Sequence, residues 1–172
     1  IKNAKYNYIA ITDADETYPN ERIPEFYKMI IEKDFDMLVG ARVGKNVKIP
    51  LIRRPAKWMI NKLANYLSDV KIPDLNSGLR IMKRSVLEKF VHILPEGFSF
   101  TTTITLSMLT NGYRVHYEKI DYFHRAGSSK IRPIYDTLNF IQLIIRTVLL
   151  FRPLKVFLPL SGFMFLVGLV LI

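Results

Sequence analysis

Short apolar runs alternate along the chain with longer segments whose apolar residues recur at helical spacing. Tyr8-Ile9-Ala10-Ile11 reads as a short buried strand, and Ile23-Pro24 opens an amphipathic helix reaching about Lys33. A second strand is predicted over 36–42, DMLVGAR, ending at a glycine and an arginine. Residues 43–55, with Lys45, Lys48, Arg53, Arg54 and two prolines, form a basic loop. The segment 56–69 puts Met59, Ile60, Leu63, Tyr66 and Leu67 on one helical face. A turn cluster over 72–78 leads into a short strand from Leu79 to Met82, and Ser85 to Glu88 has the spacing of a capping box opening another helix. Residues 98–112 predict a helix stopped by Asn111-Gly112 in spite of its threonine run, and 113–124 alternate as a strand. There is no internal repeat and no low-complexity tract, so the pattern is α/β.

The pattern changes in the C-terminal forty residues. Over 135–152, Asp136, Asn139, Gln142 and Arg146 make a narrow polar stripe in an otherwise apolar helix. Periodicity alone fits an amphipathic core helix as well as one lying in a membrane interface. Adjacency to the next segment favours the membrane, because Val156 to Ile172, VFLPLSGFMFLVGLVLI, carries no charge. A membrane span takes about 20 apolar residues, and this run is still apolar at its last residue, so it reads as a span cut by a fragment boundary. Lys130, Arg132, Arg146, Arg152 and Lys155 precede or open it against the single acid Asp136, which predicts that this side is cytoplasmic.

Composition narrows the chemistry. The 172 residues suffice for one domain, and 49% of them are hydrophobic. The absence of cysteine removes disulfides, thiolate metal sites and cysteine nucleophiles. A net charge of +10 points to an anionic partner, whether nucleic acid, phospholipid or a phosphate-bearing substrate. The chemistry-bearing signal is Asp13-Ala14-Asp15 directly after the first strand. A bare D-x-D is commonly a solvated turn. A strand that ends in one, however, delivers two carboxylates to the carboxyl edge of a sheet, where open α/β folds bind ligands. Mg²⁺ takes one or two carboxylates and completes its shell with water and substrate phosphate oxygens, so the pair suggests a diphosphate substrate. Asp74 reads either as a turn-former before Ser77-Gly78 or as a group that takes a proton or orients a substrate. His92, His116 and His124 show no ligand spacing.

The ordered set DADETYP, DMLVGAR, PDLNSGLR, HRAGSSKI and FRPLKVF resembles the family 2 glycosyltransferases that make polyprenyl-phosphate sugars, relatives of dolichol-phosphate mannose synthase, over about residues 6–157. The resemblance implies a GT-A fold and metal-dependent, inverting transfer of a hexose from a nucleotide diphosphate sugar to a polyprenyl phosphate, at the cytoplasmic face of a membrane. It assigns Asp13, Asp15 and, weakly or through water, Thr17 to a Mg²⁺ or Mn²⁺ ion. It sets Arg42, Arg53, Arg54 and Ser129 against substrate phosphates, and Asp15, Asp74, Arg125 and Lys130 at the reaction centre. The implied organisation is the C-terminal part of a GT-A domain over 1–133, an interfacial helix over 134–153 and the start of a membrane segment over 154–172. The family's upstream nucleotide-binding segment is not in this sequence, so the chain is expected to be a fragment that is inactive alone. The bilayer, donor and acceptor are the expected partners, with self-association through membrane helices and no nucleic acid.

Two other readings compete. Asp13-Ala14-Asp15-Glu16-Thr17 also resembles the D-x-D-x-T of haloacid-dehalogenase phosphatases, with Asp13 as nucleophile, although no lysine followed by a paired acidic motif comes after it. The second is a non-catalytic, membrane-anchored module that binds anionic lipid through its basic stretches.

Overall fold

The computed structural model describes residues 3–43, 54–94, 100–123 and 133–171. Strand β1 (Tyr8–Ile11) is followed by a short 3-10 turn and helix α1 (Ile23–Glu32), then β2 (Met37–Arg42) and α2 (Arg54–Ser68). Next come β3 (Arg80–Lys83), α3 (Arg84–Phe90), α4 (Phe100–Thr110) and β4 (Val115–Ile120). Two helices close the chain, α5 (Pro133–Phe151) and α6 (Leu154–Leu171).

The described strands form one sheet in the order β1-β3-β2-β4. Strand β3 is antiparallel to both β1 and β2, whereas β4 is parallel to β2. Strands β1, β2 and β4 therefore end at one edge, and β3 starts from it. Segments just after β1, β2 and β4 and just before β3 are thus gathered together.

Alternation along the strands builds two core faces. Leu38 and Ile81 point to Phe26 and Ile30 of α1. Met37, Val39 and Met82 point to Val86, Leu87 and Phe90 of α3 and to Ile104 and Met108 of α4. A third cluster joins Ile60, Ala64 and Leu67 of α2 to Leu106 and Leu109 of α4 and to Ile144 and Val148 of α5. Helix α4 ends as its sequence predicts. Gly112 takes φ +76°, and Tyr113 N donates to Met108 O at 3.0 Å, so the left-handed residue closes the last carbonyls.

Three expectations are corrected. Helix α3 begins at Arg84, with Lys83 as an extended N-cap that makes no side-chain capping bond. Ser85 is already inside the helix, because Arg84 N donates to Asn7 O (2.8 Å) and β3 turns straight into the helix. Glu88 accepts from Arg84 Nε at 2.7 Å. On α2, Met59 and Tyr66 face outward, and Ile60, Ala64 and Leu67 make the buried face. On α5, the broad apolar face expected to meet lipid lies against α2 and α4, with Ile144, Thr147 and Val148 buried. Its outward side carries Leu138, Asn139, Gln142, Arg146 and Leu150. Burying that face in the protein satisfies the amphipathic pattern without a bilayer.

Helix α6 is long and apolar enough to cross a membrane, and none of it is buried in the protein. Its start is tied to the end of α2. Asp69, at φ +61°, accepts from Arg152 Nη1 at 2.6 Å and also pairs with Lys155, whose Nζ donates to Tyr66 O at 3.2 Å. Because α5 completes the core, Ile144→Ala should destabilise the protein by about 2–5 kcal/mol. Leu138→Ala, at a position 60% exposed, should change stability by less than about 0.5 kcal/mol. Denaturant unfolding of the two variants measures the difference.

Candidate active site

The site is assembled by the strand directions. The chain leaves β1 through Asp13 and Asp15, leaves β2 at Arg42, leaves β4 toward Tyr122, and enters β3 through the turn from Asp74 to Gly78. All four segments meet at the carboxyl edge of β1, β2 and β4.

The loop after β1 is internally braced. Thr12 Oγ1 donates to Asn20 Oδ1 at 2.7 Å across its base. Thr17 is fully buried, and its hydroxyl donates to Asp15 Oδ1 at 2.5 Å. Its role in the structure is to orient the Asp15 carboxylate, with its own oxygen turned to that group. Asp13 lies against Gly78, where a Cβ would come within 2.7 Å of Asp13 Oδ2. Glycine at this position leaves the carboxylate its place, since a Cβ would displace it. Gly78 N donates to the Tyr18 hydroxyl at 2.8 Å. Burial raises the pKa of that phenol, so it remains a neutral partner.

Arg42 and Asp74 form the second half of the site. Arg42 donates from Nε (2.7 Å) and Nη2 (2.9 Å) to the two oxygens of Asp74, and its backbone N–H donates to Oδ2 at 3.0 Å. Asp74 is 1% exposed, whereas the Arg42 side chain keeps 21% of its surface. Burial works against the Arg42 charge, but the hydrogen bonds and charge of Asp74 outweigh it and hold the pKa above its ordinary value. The guanidinium lies over the Tyr122 ring at 5.2 Å, and that ring meets Tyr18 edge-on at 5.3 Å. A continuous packed chain thus runs from Asp13 through Gly78, Tyr18 and Tyr122 to Arg42 and Asp74.

The structure brings together Asp13, Asp15, Thr17, Arg42 and Asp74 of the residues singled out in the sequence. Arg54 is the first residue of α2. Arg53, Arg125, Ser129 and Lys130 lie outside the described residues. Sequence reasoning passed over Tyr18, Gly78, Arg80 and Tyr122. Tyr18 and Gly78 fall inside the quoted motifs, but the contacts that join them are 60 residues apart in sequence and leave no periodic trace.

Residues 1–91 match the family described as Glycosyl transferase family 2. The chain belongs to that family. It is 29% identical over 126 residues to a dolichyl-phosphate hexose transferase of Haloferax volcanii, covering 73% of this chain and 54% of that protein. It is 25% identical over 134 residues to the low-salt glycan biosynthesis hexosyltransferase Agl6 of the same organism, covering 76% of this chain and 32% of that protein. The chain thus spans about half the length of the first relative and a third of the second. Family membership gives the described strands and helices a GT-A-like frame, and it gives no support to a phosphatase with Asp13 as nucleophile or to a non-catalytic lipid module.

The donor set fits a divalent cation. Asp13 and Asp15 offer hard carboxylate oxygens, and Gly78 leaves room for the Asp13 carboxylate. No cluster of three or more acidic or histidine residues occurs among the described residues. Two carboxylates supplemented by phosphate oxygens are what Mg²⁺ takes beside a diphosphate. Because Arg42 supplies the guanidinium that pairs with both oxygens of the buried Asp74, Arg42→Ala should cost about 3–5 kcal/mol of stability by removing the charge that faces this carboxylate. A double-mutant cycle with Asp74→Ala should return a coupling above about 1 kcal/mol in unfolding measurements.

Proposed function

We propose that the protein is a membrane-associated, metal-dependent hexosyltransferase that moves a hexose from a nucleoside diphosphate sugar to a polyprenyl phosphate with inversion. The observation that carries this reading is the meeting of the Asp13–Asp15 pair and the Arg42–Asp74 pair at one sheet edge. The similarity to a dolichyl-phosphate hexose transferase supplies the substrate classes.

An oxygen of the acceptor phosphate attacks the anomeric carbon, a new carbon–oxygen bond forms, and the bond to the nucleoside diphosphate breaks on the opposite face. A phosphate monoester is largely ionised near neutral pH, with a second pKa of about 6, so no strong base is needed. A bound Mg²⁺ or Mn²⁺ supplies charge neutralisation for the departing diphosphate. Asp13 and Asp15 hold that ion, and Thr17 fixes the rotamer of Asp15. Asp74 is committed to Arg42, so its part in the chemistry is to aim the guanidinium rather than to take a proton. With Nε and Nη2 bonded to Asp74, Arg42 has Nη1 left to donate to a phosphate oxygen, a geometry that suits a planar guanidinium better than an ammonium. Arg53 and Arg54 for the acceptor phosphate, with Arg125, Ser129 and Lys130 for the diphosphate, complete the reading. Helix α6 anchors the domain, and the basic residues before it orient the site toward the cytoplasm.

The test uses the full-length protein in membranes, with labelled hexose transfer to a polyprenyl phosphate in the presence of Mn²⁺. Asp15→Asn should abolish transfer, and Gly78→Ala should reduce it by more than tenfold by crowding Asp13. Both proteins should remain in the membrane fraction. Undiminished transfer by Asp15→Asn would contradict the metal assignment.

A further inference from the structure

Arg80 is the largest fully buried side chain among the described residues, with 0% of its surface exposed. It sits mid-sheet on β3, opposite Ile11 of β1 and Val39 of β2. Among the described residues no carboxylate lies within ion-pair distance of it. Its hydrogen bonds go to Thr101 O (3.1 Å) and Thr105 Oγ1 (3.0 Å) on α4 and, from both Nε (3.2 Å) and Nη2, to Ser77 O. Burial pushes its pKa down to about 10, which still leaves it charged at neutral pH. A buried charge without a carboxylate in contact costs several kcal/mol, and an apolar residue of similar volume is often as stable or better. Stability alone gives no reason for arginine here.

The grip on Ser77 O supplies one. That carbonyl belongs to the peptide unit whose N–H, on Gly78, donates to the Tyr18 hydroxyl at 2.8 Å. Arg80 and Tyr18 therefore hold the same peptide plane through its oxygen and its hydrogen. The Cα that follows this plane is the one against which the Asp13 carboxylate rests. If the plane rotates, Gly78 moves and the support of Asp13 is lost.

We infer that Arg80 is a positioning residue for the metal site: it clamps the Ser77–Gly78 peptide against Tyr18 and so fixes the Asp13 carboxylate. This rests on the reading of Asp13 and Asp15 as metal ligands. Arg80 touches neither metal nor substrate, and its effect passes through one peptide plane. Replacing it should weaken metal binding and leave the acceptor interaction alone.

The experiment titrates Mn²⁺ into the detergent-solubilised full-length protein, reading the bound ion by electron paramagnetic resonance, and measures transfer over a range of Mn²⁺ concentrations. Arg80→Met removes the clamp and keeps volume, and thermal unfolding reports that it is folded. It should raise the Mn²⁺ dissociation constant about tenfold. Raised Mn²⁺ should restore most of the lost turnover, with the KM for polyprenyl phosphate unchanged. Tyr18→Phe, which removes the hydroxyl that holds the Gly78 N–H on the other side, should shift Mn²⁺ binding in the same direction, and it decides the matter if Arg80→Met does not fold. Wild-type Mn²⁺ affinity in a folded Arg80→Met, or in Tyr18→Phe when that variant must decide, overturns the inference. Asp13→Asn separates the two levels: if it binds Mn²⁺ as the wild type does, the metal reading falls and this inference with it.

Discussion

The ion pair between Arg42 and Asp74 joins the end of β2 to the turn that feeds β3, and the rest of the site is arranged around it. Asp74 is almost completely buried, and a carboxylate there is tolerable only with a matched cation and several donors. Arg42 provides two side-chain donors and its backbone N–H. In return Asp74 occupies one edge of the guanidinium fork and turns the remainder outward, across Tyr122. The turn held in this way carries Ser77 and Gly78, and Gly78 is the surface on which Asp13 lies. Strand polarity makes the arrangement possible, because only an antiparallel β3 can begin where β1 and β2 end.

Much of the frame was legible in the sequence, for physical reasons that differ by element. Strand β2 was found because five apolar or small residues end in an arginine, and β1 because its apolar run stops at a D-x-D. Gly112 announced the end of α4 because only a residue at ease with positive φ closes that helix. The capping box at Ser85 misled by two residues, since backbone bonds from the β3–α3 junction fixed the N-cap at Lys83 and the start of the helix at Arg84. The polar stripe on α5 was read correctly as a stripe, but periodicity does not say whether the apolar side faces lipid or protein. Packing against α2 and α4 decided that.

Within the site, Asp13, Asp15 and Arg42 were legible because charged residues at strand ends stand out against apolar runs. Asp74 was visible only as an ambiguity. Arg80 was invisible, because its neighbour in the sequence is an ordinary turn and its burial comes from α4, more than twenty residues later. The anchoring of α6 follows the same rule. Asp69 is an unremarkable residue after α2 until Arg152 and Lys155 return to it from the other end of the chain. That contact ties the apolar helix to the domain.

The central claim is that the D-x-D loop and the Arg42–Asp74 pair act on one diphosphate. The most direct measurement is a crystal structure of the full-length protein with Mn²⁺ and a nucleoside diphosphate, using anomalous scattering to locate the ion. The account predicts a Mn²⁺ peak bonded to Asp13 or Asp15 carboxylate oxygens and bridged to the diphosphate, with Arg42 Nη1 within hydrogen-bonding distance of a phosphate oxygen. A peak away from both carboxylates, or a diphosphate bound beyond the reach of Arg42, would contradict it.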